Sequence, residues 1–429
     1  MPDTSLISEK LLQFIWQWQY FRSQDLYTVE GDKLDIIHPG INNNNQGPDF
    51  SEGRIKIGHT TWIGNIELHV LASHWTMHRH SDDLNYANII LHVVWKNDMP
   101  VKDGSGKFIP CLELQPLVSV LMLNRFTELM HNKGFVPCEN HLPLLSELAW
   151  LNWKERLLVE RLDRKSTAIL QLLEQANYHW EEIFWWLLAR NFGTKVNTEL
   201  FEQVAKTVSV NILAKHKNQV HQLEALLLGQ AGMLHSSEFE EDYPKLLQRE
   251  YRFLQKKYGL VPAVIQPAYL RMRPANFPTV RLAQLSVLVH QSNHLFSKIK
   301  EIKRVDELKK LLQVTANDYW HYHYRFDEIT PCRPKNLGIH MVENIIINTI
   351  VPIIFAYGIY NTNALYKQKA IQWLSELPAE KNTLTKSWEL FNLSSGNAME
   401  SQGLIELKNT YCNHKRCLDC AVGTKMLKD

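Results

Sequence analysis

Cysteine is scarce in this sequence, with six residues among 429. So few cysteines in a chain of this length do not form a disulfide scaffold. The N-terminus also lacks the basic start and the apolar stretch of a signal peptide. We therefore expect a reducing compartment and a cytoplasmic protein.

Long hydrophobic runs are missing as well. The most apolar segment, residues 345–360, is shorter than the roughly 20 residues that cross a bilayer, and it contains Asn348 and Pro352. Such a segment is typical of a buried helix, so we expect no membrane partner.

The chain has no large excess of one charge, because its 47 Lys and Arg residues nearly balance its 45 Asp and Glu residues, which gives a net charge of +2. The chain has no overall attraction for nucleic acid, so a nucleic-acid partner would have to meet a local patch. The sequence also has no P-loop, no dinucleotide-binding glycine motif and no Gly-x-Ser-x-Gly elbow, which argues against the enzyme classes built on these motifs.

Helical and strand patterns alternate in the first quarter of the chain. The run at 89–95 is apolar throughout, as in a strand covered on both faces. The last strand, helix and strand of the series predict a parallel pair with a right-handed crossover. The predicted order is helix, three strands, helix and strand, at residues 6–21, 33–38, 54–58, 61–71, 82–87 and 89–95.

Strand patterns disappear after residue 116, and four prolines between residues 110 and 145 indicate a domain boundary. We expect an α/β domain at residues 1–115 and a mainly α-helical domain at residues 116–429, which ends in a cysteine cluster. The helical patterns cover residues 149–176, 180–192, 197–208, 220–230, 244–258, 279–300, 306–315, 340–357, 363–377 and 384–393.

Two acidic residues and a histidine stand out in the predicted strands. Asp49 follows Gly47-Pro48, a pair that breaks regular structure, so it should lie at the start of a strand. Glu67 and His69 alternate with apolar residues and share one face of the next strand. Because burying an unpaired charge is costly, a divalent metal or a second carboxylate is expected beside them.

The element order and the Asp49…Glu67-x-His69 spacing resemble the P-D-(D/E)-x-K nuclease superfamily, which has the restriction-endonuclease-like fold. The resemblance implies a metal-dependent nuclease or phosphodiesterase acting on nucleic acid, with Asp49 and Glu67 binding Mg²⁺ or Mn²⁺. His69 stands where the superfamily has lysine, and it would serve as base or third ligand, which favours Mn²⁺ or a later transition metal. Glu9 lies where some members carry a further acidic ligand.

Two other interpretations remain open for these residues. In the first, Asp49 is a structural residue at a turn, and Glu67 and His69 form a hydrogen bond between strands. In the second, the chain is a non-catalytic nucleic-acid-binding or protein-binding module that retains a nuclease-like fold. The histidine in place of lysine favours this second interpretation.

The whole chain is also similar to an uncharacterised family of bacterial proteins known mainly from Bacteroidetes. This similarity implies no activity. It rests on the C-terminal cysteines and on the motifs Gly-Pro-Asp-Phe at 47–50, Glu-Leu-His at 67–69, Trp-x-x-His-x-His-x-x-Asp at 75–83, Leu-His-Val-Val at 91–94 and Arg-Pro-x-Asn-Phe-Pro at 273–278.

Histidines are dense in the predicted crossover, which contains His74, His78, His80, Asp82 and Asp83 and leads to His92. Several of these groups, with Glu67 and His69, could hold Zn²⁺, Mn²⁺ or Fe²⁺, and we expect His80 and Asp83 to be metal ligands. The alternative is a polar surface loop that is rich in histidine, with His92 satisfied by a hydrogen bond in the core.

Three cysteines near the C-terminus have the spacing C-x4-C-x2-C: Cys412, Cys417 and Cys420. A C-x2-C pair directs both thiolates at one metal, so structural Zn²⁺ or an iron–sulfur cluster is expected. His414, Cys332 or Cys138 would be the fourth ligand. The alternative is a set of reduced cysteines packed as small apolar groups.

The pattern Arg-Pro-x-Asn plus an apolar residue occurs twice, at residues 273–277 and 333–337. Each copy precedes an apolar helical pattern, so Asn276 and Asn336 are expected to cap or stage a helix start. The simplest interpretation is a recurrent turn at helix entry.

Overall fold

The computed structural model describes residues 6–43, 45–142, 144–235, 239–270, 272–292 and 294–428. The chain forms two compact units. Unit 1 comprises Met1–Trp150, Ser387–Leu393 and Leu407–Asp429, and unit 2 comprises Leu151–Lys386 and Ser394–Glu406. Unit 1 thus extends beyond residue 115, the boundary expected from the prolines, and it includes the C-terminal cysteines.

A mixed β-sheet forms the centre of the described part of unit 1. Its strands are β1 (Leu26–Tyr27), β2 (Lys33–His38), β3 (Ile41–Asn42), β4 (Phe50–Ile57), β5 (Thr60–Leu71), β6 (Ile89–Lys96) and β7 (Cys111–Glu113). The order across the sheet is β1-β2-β4-β5-β6-β7, and β3 also pairs with β4. The predicted mixed α/β region is confirmed, and the short strands β1, β3 and β7 are additions that the patterns missed.

The pairing of the central strands matches the predicted topology. β4 and β5 are antiparallel, and β5 and β6 are parallel, with Glu67 opposite His92 in the register. The chain between them forms the short helix α2 (His74–Met77) and two 3₁₀ turns, instead of a helix at 82–87. Arg79 has a φ of 58°, a left-handed conformation that ends α2 and turns the chain back.

Helix α1 (Glu9–Gln17) covers the strand that carries the candidate residues. It begins after Ser8, whose hydroxyl accepts a hydrogen bond from the Leu11 N–H at 3.3 Å. Its apolar face is buried and contacts β5. This packing positions the Gln13 side chain against Asp49, at 2.7 Å.

Two further helices of unit 1, α3 (Val120–His131) and α19 (Ala421–Lys428), were not predicted. They contact each other, and the Arg125 guanidinium donates a hydrogen bond to the Met426 carbonyl at 3.3 Å.

Helices dominate unit 2, as predicted. From Glu147 onward they are α4 (Glu147–Gln175), α5 (Trp180–Phe192), α6 (Thr198–Thr207), α7 (Val210–His216), α8 (Val220–Gln230), α9 (Asp242–Tyr258), α10 (Pro278–Gln291), α11 (Leu295–Glu301), α12 (Val305–Leu312), α13 (Asp318–His321), α14 (Ile339–Ile345), α15 (Val351–Tyr360), α16 (Ala364–Glu376), α17 (Thr383–Glu389) and α18 (Ala398–Glu406). The predicted helix at 279–300 is two helices, because the chain turns at His294, where φ is 49°. α18 was not predicted. Most of its residues are buried, so its sequence lacks the alternation of apolar and polar faces that indicates an amphipathic helix.

The most apolar helix runs continuously over Ile339–Tyr360 and includes a π-helical segment, Ile346–Ile350, between α14 and α15. By length and composition it could cross a membrane, but most of its apolar window is buried inside the structure, as in many core helices. The buried helix predicted at 345–360 is therefore present and begins earlier. The absence of a membrane partner stays a prediction.

Candidate metal centre

The centre begins with two side chains of β5. Glu67 and His69 lie two residues apart and are 5% and 1% exposed, respectively. Because successive side chains of a strand alternate, both project to the same face of the sheet. The sequence prediction that they share a face is in accord with this geometry.

The left-handed turn at Arg79 brings two further imidazoles toward these residues. The nitrogen atoms that His69, His78 and His80 can offer to a metal all lie within 4.8 Å of one another. His69 Nε2 is 3.3 Å from His78 Nδ1 and 3.8 Å from Glu67 Oε1. His80 Nε2 is 3.5 Å from the same Glu67 oxygen. The three imidazoles therefore form one compact group, and Glu67 Oε1 approaches two of them, those of His69 and His80.

These separations match the spacing of ligands around one small cation. Metal–ligand bonds of about 2.1 Å in tetrahedral geometry place neighbouring donor atoms about 3.4 Å apart. Three of the donor pairs, at 3.3, 3.5 and 3.8 Å, lie close to this value. The three imidazoles, with Glu67 beside His69 and His80, can therefore hold Zn²⁺, Mn²⁺ or Fe²⁺.

His92 orients His69. His69 Nδ1 is 2.8 Å from His92 Nε2, and both rings are buried. Burial, followed by repulsion from neighbouring imidazoles, lowers the pKa of His69 to about 2 and that of His92 to about 3. Both rings are neutral at pH 7, so one tautomer donates the His69 Nδ1–H to His92 and leaves the His69 Nε2 lone pair directed at the centre.

Asp49 orients Glu67. The Asp49 backbone N–H donates to Glu67 Oε2 at 3.0 Å, which leaves Oε1 facing the imidazoles. The Asp49 carboxylate itself accepts hydrogen bonds from Gln13 at 2.7 Å and from the Leu68 N–H at 3.0 Å. Asp49 thus lies behind Glu67, at the start of β4 where the sequence placed it, and is not one of the converging ligands.

Among the described residues, neither the Asp49 nor the Glu67 carboxyl group forms a salt bridge with lysine or arginine. Burial, then repulsion from Asp49, raises the pKa of Glu67 to about 9, and burial raises that of Asp49 to about 6. A bound divalent cation would compensate the charge and displace the proton from Glu67.

One side of the centre is open to solvent. His78 is exposed and His80 is half-buried, with the Tyr86 ring stacked on His80 at 3.9 Å between ring centroids. His74 lies beside this opening, and its Nδ1 is 3.9 Å from Glu9 Oε1. A substrate can therefore reach the imidazole side of the centre.

The structure does not bring every expected residue together. Asp83 accepts a hydrogen bond from the Asn85 N–H at 2.9 Å, starts a 3₁₀ turn and is not part of the compact group of imidazoles. The sequence pattern placed His78 in the histidine-rich segment but did not select it as a ligand. In the structure it is one of the three converging imidazoles. Gln13 gave no signal in the sequence, because its contact with Asp49 depends on how α1 packs.

The C-terminal cysteines lie near Cys138, which precedes a 3₁₀ turn in unit 1. Cys417 and Cys420 interact electrostatically with Cys138 and, like it, are buried. Contacts between the two segments support this placement, since Lys408 lies 4.9 Å from the Phe135 ring and Lys415 donates to the Met130 carbonyl. The four thiols nearest one another are Cys138, Cys412, Cys417 and Cys420. Cys332 belongs to unit 2 and is exposed.

Residues 9–383 match the family described as "Protein of unknown function (DUF2851)". The match includes α1, the sheet, the candidate metal centre and most of the helices, and it ends before the three C-terminal cysteines. Neither a curated protein nor a solved structure matches the chain.

Proposed function

The chain belongs to the DUF2851 family, and we propose that it is a metal-dependent hydrolase that cleaves phosphodiester bonds in nucleic acid. One observation carries the proposal: three imidazole nitrogens lie within 4.8 Å of one another, and the Glu67 carboxylate oxygen is 3.8 Å from His69 and 3.5 Å from His80, with one side open to solvent. Structural metal sites are closed by protein ligands, whereas catalytic sites leave room for water or substrate.

The ligands favour a transition metal. The sequence led us to expect Mg²⁺ or Mn²⁺ between Asp49 and Glu67, but imidazole-rich sites prefer Zn²⁺, Mn²⁺ or Fe²⁺ over Mg²⁺. Glu67, His69, His78 and His80 would hold the ion. Bound there, it would polarise a phosphate oxygen and lower the pKa of a water molecule.

The side chains around the ion would have different roles. His69 serves as a ligand rather than as a base, because a pKa of about 2 makes the imidazole too weak a base to take up a proton near pH 7. Asp49 and His92 hold Glu67 and His69 in their ligating orientations. Arg79, exposed and adjacent in sequence to His78 and His80, would be the cation that meets a phosphate.

The phosphodiester part of the proposal rests on the resemblance to P-D-(D/E)-x-K nucleases. Pro48-Asp49 directly precedes β4, and Glu67 lies on the adjacent antiparallel β5, which is followed by a crossover to a parallel strand. The antiparallel pair that carries Asp49 and Glu67 and the parallel crossover that follows it support the proposal.

The test is hydrolysis by metal-free protein reloaded with Mn²⁺ or Zn²⁺, using labelled single- and double-stranded DNA, RNA and bis(p-nitrophenyl) phosphate. We expect activity in the wild type, a loss of at least about 100-fold in His80→Ala, and no change in His59→Ala, which alters an exposed turn histidine. Equal activity in the wild type and in His80→Ala would refute the proposal.

A non-catalytic nucleic-acid-binding module is the second candidate. The observation that favours it is His69 in place of the lysine of the nuclease superfamily. Retention of labelled DNA or RNA by metal-loaded protein, without any cleavage product, would select this candidate.

We propose that the four cysteines form a second metal centre, with Cys138 as the ligand missing from the C-terminal motif. In a four-cysteine zinc site the sulfur atoms lie about 3.8 Å apart. Among the described residues, no three cysteine sulfurs form such a compact group. The four thiolates would hold either one Zn²⁺ or an iron–sulfur cluster, in which they bind different irons. Visible absorption and the iron content of anaerobically purified protein distinguish the two.

A further inference from the structure

Unit 2 contains a large cavity with a strongly basic lining. Its volume is about 880 Å³, which is in the range of small-molecule sites. Five cationic side chains and one acidic side chain, that of Glu380, line the cavity. The cationic residues are Arg164, Lys165, Arg190, Lys195 and Arg281.

Arg281 is buried in the cavity wall without a carboxylate partner. It is 7% exposed, and two of its nitrogens bond neutral amides: Nη1 donates to Gln284 at 3.0 Å and Nη2 donates to Asn276 at 2.5 Å. Its Nε has no hydrogen-bond partner among the described residues. A buried guanidinium that is held by neutral groups and keeps a free N–H is suited to an anion.

Lys165 is a second, half-buried cation of the same cavity. Its ammonium donates to the Asn348 side chain at 3.2 Å and forms no salt bridge within the described part of the chain. Burial, then repulsion from Arg161, lowers its pKa to about 7. An anionic ligand would stabilise the charged form.

The π-helical segment shapes this part of the wall. Asn348 and Thr349 lie on it and line the cavity, and Asn191 donates to the Thr349 hydroxyl at 2.9 Å. Extra residues in a helical turn are frequent at functional sites, since they alter where side chains point.

The first Arg-Pro-x-Asn copy contributes to the same wall. Asn276 was expected to cap a helix, but no side chain caps α10, and Asn276 instead accepts the Arg281 hydrogen bond. In the second copy, Asn336 accepts from the Thr315 hydroxyl at 2.6 Å and does not line the cavity. No side chain caps α14 either, so neither Asn276 nor Asn336 caps the following helix, and the two copies have different contacts.

We propose that this cavity binds a phosphate ester of nucleotide size. Arg281, Lys165 and Lys195 would contact the phosphate. The apolar part of the lining, which includes Leu172 and Met341, would contact the body of the ligand. The proposal concerns unit 2 alone and does not depend on the hydrolase activity of unit 1.

The experiment is isothermal titration of the full-length protein with AMP, ATP, inorganic phosphate and citrate. We expect AMP or ATP to bind at least tenfold more tightly than inorganic phosphate, and citrate to bind weakly or not at all. No binding of either nucleotide at millimolar concentration would overturn the proposal. Equal affinity for citrate would also overturn it, because the cavity would then be a general anion site.

Variants locate the binding. Arg281→Gln should weaken nucleotide binding at least tenfold, while Arg252→Gln, which alters an exposed arginine on α9, should leave it unchanged. Lys195→Gln alters an exposed residue of the lining, and it provides the same test if Arg281→Gln fails to fold. Unchanged affinity in both lining variants, or an equal loss in Arg252→Gln, would place the nucleotide elsewhere.

Discussion

Replacing His80 with alanine should remove most of the stabilisation that a divalent metal gives to unit 1. At a free metal concentration 100 times the dissociation constant, a site present only in the folded state contributes about 2.7 kcal/mol. For a domain of 150–250 residues this corresponds to a rise in melting temperature of roughly 5 to 10 °C. His80 supplies one of four converging donors, and its loss should weaken binding about 100-fold or more.

At the same metal concentration, the variant site would then be about half filled and would contribute about 0.4 kcal/mol. The assay is thermal unfolding of metal-free protein, followed by circular dichroism during titration with Zn²⁺ or Mn²⁺. The quantity to compare is the metal-induced rise within each variant, because His80 also stacks on Tyr86 and its removal shifts the starting temperature.

His59→Ala is the matched control, since it removes an exposed histidine from the β4–β5 turn of the same unit. It should show the full wild-type rise. The reasoning is refuted if His80→Ala shows the wild-type rise, or if His59→Ala loses as much of it as His80→Ala does.

Three further predictions concern other parts of the chain. Glu224 is fully buried with its pKa raised to about 7, so the folded protein keeps a proton that the unfolded chain releases near pH 4.5, and stability falls as pH rises across this window; in urea unfolding this fall should be about 3 kcal/mol smaller in Glu224→Gln than in the wild type. Gly229→Ala should cost about 1 to 3 kcal/mol in the same measurement, because a β-carbon there overlaps the Tyr251 ring; no loss would show that α8 and α9 can separate freely. Cys138→Ser should lower the bound iron or zinc measured by mass spectrometry, whereas Cys332→Ser should not; equal metal content in the two variants would exclude Cys138 as a ligand.

The features that follow from local patterns were predictable from the sequence. Gly47-Pro48 indicated that Asp49 starts a strand, and β4 begins at the next residue. Alternation along β5 indicated that Glu67 and His69 share a face. The bounds of α5 and α8 agree with their apolar spacing. These are properties of contiguous residues, for which hydrophobic periodicity is informative.

The features that depend on contacts between distant segments were not predictable. The convergence of His78 with His69 requires the left-handed turn at Arg79, and such a conformation in arginine has no sequence signature. Likewise, Cys138 approaches the C-terminal cysteines only through packing within unit 1. Composition could suggest these ligands as candidates but could not select among them.

The most direct test of the proposed centre is the position of a bound metal in crystals grown with Zn²⁺ or Mn²⁺. An anomalous difference map is predicted to show a peak about 2.1 Å from each of four atoms. These atoms are Glu67 Oε1, His69 Nε2, His78 Nδ1 and His80 Nε2. The account would be contradicted if protein that is fully loaded with metal in solution showed no peak among these atoms in the crystal. It would also be contradicted if the peak were bound only by other residues.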